Sequence, residues 1–61
     1  MTNARELEHT LKNHLAIILG FAELLLQDAA PDDPRREDFE EIQKAAEAAV
    51  RIVSAIGAGE A

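Results

Sequence analysis

Two imidazoles, His9 and His14, are the side chains of this cysteine-free, 61-residue sequence best suited to nucleophilic chemistry near neutral pH. They stand differently on a helix pattern. Laid out at about 100° per residue, Leu7, Leu11, Leu15, Ile18, Ala22 and Leu25 form one apolar stripe spaced three and four apart. His9 and Asn13, one turn apart, fall on the order of 140–180° from its centre, and Ala16 and Gly20 continue their row. His14 falls toward the edge of the stripe and reads as a packing or bundle-edge residue. Nucleophilic chemistry requires an exposed, neutral imidazole nitrogen that a reactant can approach. His9 has that placement, although taken alone it reads as an ordinary solvated helix histidine. The Asn13 amide can hold a water over the same face.

The elements that position these residues are two helices. Thr2 or Asn3 can cap the first, and Asn3 with Glu6 has the form of a capping box. The first helix is expected over about residues 4–28 and the loop over about 29–33, marked by Pro31 and Asp32-Asp33-Pro34. Asp33 is placed to cap a second helix over about 34–57, with Pro34 in its first turn. Phe39, Ile42, Ala46, Ala49, Val50, Val53 and Ile56 repeat there at three and four, and Gly57 and Gly59 are expected to end the helix before a frayed tail, 58–61.

Two such helices on a tight loop lie antiparallel. Each buries one stripe against the other but cannot enclose a core, so Phe21, Leu26 and the alanine-rich side of the second helix stay partly uncovered. The expected fold is therefore all-α: one domain, 1–61, an antiparallel helical hairpin that homodimerises into a four-helix bundle. Composition points the same way. Hydrophobic residues make up 48% of the chain but aromatics only 3%, which suits aliphatic helix seams, and there is neither a disulfide nor a metal-ligand cluster to staple so small a domain. A net charge of −6 disfavours nucleic acid and anionic membrane surfaces. The longest apolar run, Leu15 to Ala22, is too short to span a bilayer, and no signal peptide is visible, so the expected location is cytoplasmic.

The run His9-Thr10-Leu11-Lys12-Asn13-His14-Leu15, followed by Ile18-Leu19-Gly20-Phe21-Ala22-Glu23-Leu24-Leu25, resembles the H-box helix of two-component sensor histidine kinases. That pattern reads His, an acidic residue, Leu, Arg or Lys, Asn or Thr, Pro, Leu, then an Ile-Leu-Gly-aromatic run. The resemblance covers essentially the whole chain and implies the dimerisation and histidine phosphotransfer (HisKA) domain. It implies that His9 is the phosphoacceptor, passing phosphate to a receiver-domain aspartate, and that Asn13 orients water for dephosphorylation of the response regulator. Ala16, Ile17, Gly20 and Leu24 are read as the receiver-docking patch, Ile17 and Leu24 alternatively as wider bundle burial.

Two positions depart from the pattern. Thr10 stands where the family has a carboxylate and cannot act as a base near neutral pH, so ATP-driven phosphorylation is expected to be slow. His14 stands where the family has proline, which removes the cause of a kink. No glycine-rich nucleotide loop or Mg²⁺ site is present, so no cofactor is expected on this chain; ATP and Mg²⁺ would come from a separate kinase lobe in cis or in trans. The expected partners are a second copy, a receiver domain and that lobe. The rival expectation is a non-catalytic hairpin homodimer serving as an assembly or adaptor element, with His9 incidental.

Overall fold

The computed structural model describes residues 3–59 and consists of α1 (Ala4–Asp28) and α2 (Arg36–Gly59). Asn3, in extended conformation, starts α1: its side-chain oxygen accepts the Glu6 N–H at 2.8 Å and its carbonyl accepts the Leu7 N–H. Only this half of the capping box forms among the described residues. Thr2, the other candidate cap, lies outside the described residues.

Ala29 ends α1 by leaving the helical conformation, with its N–H still bonded to the Leu25 carbonyl. A turn then closes from the Ala30 carbonyl to the Asp33 N–H, with Pro31 in the corner that its fixed φ suits. Asp33 accepts the Arg35 N–H on its carboxylate at 2.8 Å and pairs with the Arg35 guanidinium at 2.9 Å. The Asp33 carbonyl accepts the Arg36 N–H, so the first turn is three residues wide and regular α-helical pairing starts at Arg36, two residues later than the Asp33-Pro34 signal predicts. Arg36 reaches back to the carbonyls of Leu26 and Ala29 at 3.1 and 3.3 Å. This supplies the cation that the last turn of α1 lacks.

At its other end α2 continues through Gly57 to Gly59 instead of stopping at Gly57. A glycine ends a helix by turning left-handed, and none of the described glycines has positive φ. Ala58 and Gly59 of the expected frayed tail therefore belong to α2, and Glu60 and Ala61 lie outside the described residues. The Glu8 carboxylate of α1 lies against Gly57, where a Cβ would stand.

The two helices are antiparallel, as the Glu8–Gly57 approach at one end and the Arg36–Leu26 bond at the other require. The seam between them is a heptad line: Glu8, Lys12, Leu15, Leu19, Ala22 and Leu26 on α1, and Arg36, Phe39, Gln43, Ala46, Val50, Val53 and Gly57 on α2. Ala22, Ala46 and Val53 are its buried centre, at 1, 4 and 7% exposure. Of the six-residue stripe predicted for α1 only Leu15 and Ala22 face this seam; Leu7, Leu11, Ile18 and Leu25 are exposed, as are Ile42 and Ile56 of the predicted α2 stripe.

These exposed residues fall on second heptad lines: Leu7, Leu11, His14, Ile18, Phe21 and Leu25 on α1, and Ile42, Ala45, Ala49, Ile52 and Ile56 on α2. Each line precedes its buried neighbour by one residue, and because the helices run in opposite directions both lines emerge on the same flank of the hairpin. Leu7, Leu11 and Ile56 accordingly line one shallow groove together. The hairpin thus has an apolar face that it does not cover itself, with Phe21 63% and Ile52 62% exposed.

The Asp33 carboxyl is held down at about 2, first by the hydrogen bond from the Arg35 side chain and then by that from the Arg35 N–H. Its folded pKa is below the ordinary value of 3.8, so its contribution to stability is present above that value and is lost as pH falls from about 4 through about 2. An NMR titration of the Asp33 carboxyl carbon is expected to show a midpoint near 2. A midpoint at the ordinary value would disprove the Asp33–Arg35 lock.

Candidate functional site

A helix that uses one flank against α2 and leaves a second flank apolar has its remaining surface for other work. On α1 that surface holds His9, Asn13, Ala16 and Gly20, roughly 120–180° around from the uncovered seam at about 100° per residue. His9, Asn13 and Ala16 are exposed and Gly20 is half-buried, with nothing within 4 Å of where a Cβ would stand. Thr10, Ile17 and Leu24, each seven residues apart, lie between that row and the uncovered seam, and Ile17 and Leu24 are 57 and 54% exposed. Apolar or small residues thus extend beyond the two seams in the middle of α1, with His9 at the N-terminal end of the row across the helix from the uncovered seam. His14 is exposed and lies within the uncovered seam between Leu11 and Ile18, and α1 passes through it unbroken.

The charged residues near His9 divide into two groups. Glu8 and Lys12 form a 3.6 Å pair on the hairpin seam, with the Glu8 carboxylate lodged against Gly57. Arg5 and Glu6 instead line, with Asn3, Glu8, Thr10 and His9 itself, an open depression around the imidazole. The sequence pattern singled out Thr10 as the neighbour of His9 but passed over Arg5. The signal was present, since Arg5 precedes His9 by four residues and so lies one turn away on the same face.

This helical hairpin presents an exposed histidine on the flank remote from its own uncovered apolar face. The model of the His Kinase A (phospho-acceptor) domain family matches residues 4–56, and the chain belongs to that family. Its role is that of a phosphoacceptor and dimerisation domain of histidine kinases in two-component signalling. Comparison with curated proteins and with solved structures finds no match. Among the described residues no helix is long and apolar enough to cross a membrane.

Gly20 is tolerated at a cost in helix propensity that no contact within the hairpin requires. Gly20→Ala is expected to stabilise the hairpin by about 0.5–1 kcal/mol, and His9→Gln to change stability by less than about 0.5 kcal/mol. Thermal melts followed by circular dichroism check both, and a destabilising Gly20→Ala would reveal a close approach to that glycine.

Proposed function

We propose that His9 accepts a phosphoryl group and passes it to the aspartate of a receiver domain, in a homodimer built on the uncovered seam. The observation that carries this reading is the placement of His9, Asn13, Ala16 and Gly20 on the flank remote from the uncovered apolar face. A second copy covering that face leaves the row open to a phosphoryl donor and then to a recipient. The imidazole attacks phosphorus in line, and the resulting phosphohistidine is in turn attacked by the receiver carboxylate. Asn13, one turn along, is suited to hold the water that later removes phosphate from the receiver. Ala16, Ile17, Gly20 and Leu24 form the docking patch, where the missing side chain at Gly20 permits close approach.

ATP and Mg²⁺ are supplied by a kinase lobe, in cis or in trans. Thr10 offers that lobe no carboxylate beside His9, and general-base help is worth about 10²–10⁴ in rate. The alternative, an assembly or adaptor hairpin with an incidental His9, is favoured only by the size of the uncovered face and makes no use of the His9 row.

Acid-labile phosphate supplied by a receiver or a kinase lobe is expected on His9 and to vanish in His9→Gln. Label on His14, or label that survives His9→Gln, would overturn the assignment. Thr10→Glu is expected to speed labelling from ATP, and Gly20→Ala to weaken receiver binding despite its more stable hairpin. For the dimer, Leu15→Ala loosens the hairpin itself, whereas Ile18→Ala removes only uncovered surface. Ile18→Ala should therefore cost roughly 2 kcal/mol or more in association, seen as a thermal midpoint that depends on protein concentration. Sedimentation of wild type as a folded monomer at micromolar concentration would refute the dimer.

A further inference from the structure

Arg5 stands in the first turn of α1, where the positive end of the helix dipole disfavours a cation. Among the described residues it has no ion-pair partner, since Glu8, three residues on, pairs with Lys12 on the hairpin seam. Its side chain instead borders the depression around His9, four residues away on the same face. Glu6 and Glu8, the latter paired with Lys12, border that depression too, beside the neutral Asn3 and Thr10, on a chain of net charge −6, so Arg5 is the one Lys or Arg side chain lining the approach of an anionic phosphoryl group to His9. We propose that Arg5 is the phosphoryl-positioning residue of this site, its guanidinium forking onto the phosphoryl oxygens as the group reaches the His9 imidazole. This inference rests on the reading of His9 as the acceptor.

A small donor, phosphoramidate, tests it without a kinase lobe or receiver. An imidazole nitrogen of His9 attacks phosphorus, the N–P bond of the donor breaks, and ammonia leaves as ammonium with the imidazole proton. In the 61-residue chain, Arg5→Gln is expected to slow His9 labelling about five- to tenfold, mainly through a higher KM for phosphoramidate, with Arg5→Lys restoring part of the rate. High salt should shrink the difference, and unchanged helix content by circular dichroism confirms that folding is intact. Labelling of His9 in Arg5→Gln within twofold of wild type would overturn the role of Arg5 while leaving His9 as acceptor. Absence of label on wild-type His9 would overturn both.

Discussion

Two helices in contact can each bury only one narrow line of side chains, and both helices of this hairpin carry more than one apolar line. The choice of which line turns inward sets everything else. With Leu15, Leu19, Ala22 and Leu26 against Phe39, Ala46, Val50 and Val53, the lines one residue earlier on both helices emerge together on one flank. That flank is too apolar to be an ordinary solvent face, since Leu7, Leu11, Ile18, Phe21, Leu25, Ile42, Ile52 and Ile56 are all exposed. His9 and Asn13 lie across the helix from it. Accessibility of the imidazole and the exposure of a long apolar face therefore follow from the same packing choice.

Polar side chains close the two ends of the seam. At the loop, Asp33 organises the start of α2 while Arg36 caps the carbonyl end of α1, so one short segment satisfies both helix termini. At the open end the Glu8–Lys12 pair stands where a leucine would otherwise sit, and Gly57 leaves room for the carboxylate. This arrangement pairs the Glu8 that borders the depression around His9 with a cation. The electrostatics of the depression are then governed by Arg5 and Glu6, residues that a motif centred on the histidine and its C-terminal neighbours does not include.

Much of this was legible in the residues. Three- and four-residue spacing marks both helices, Pro31 and Asp33-Pro34 mark the loop, and the wheel sets His9 and Asn13 away from the apolar residues. The pairing line was not legible, because the predicted stripe Leu7-Leu11-Leu15-Ile18-Ala22-Leu25 mixes members of two adjacent heptad lines. At about 100° per residue those lines merge into one broad apolar band, and only the partner helix separates them. The role of Gly57 was hidden for a related reason. Glycine near a helix end reads as a stop, whereas here the helix continues and the Glu8 carboxylate from the other helix occupies the space beside Gly57. Arg5 carried its signal in its four-residue spacing from His9 but stood among residues already accounted for as a helix start.

The replacement of proline by His14 bears on how the proposed acceptor and docking rows work together. Proline within a helix removes a hydrogen bond and bends the axis, so that residues on either side lose a fixed angular relation. In this chain α1 runs without interruption from Ala4 to Asp28, and His9 and Gly20 lie on one row about 16 Å long at 1.5 Å per residue. In the proposed complex, a recipient seated at Gly20 and Leu24 would stand on the same side of the helix as the imidazole. The same substitution places an imidazole in the middle of the uncovered seam, where Leu11 and Ile18 are its neighbours one turn away. A polar residue at one position of an otherwise apolar heptad line specifies register at a cost in stability. An unbroken α1 and a polar mark within its uncovered seam therefore come from the same residue.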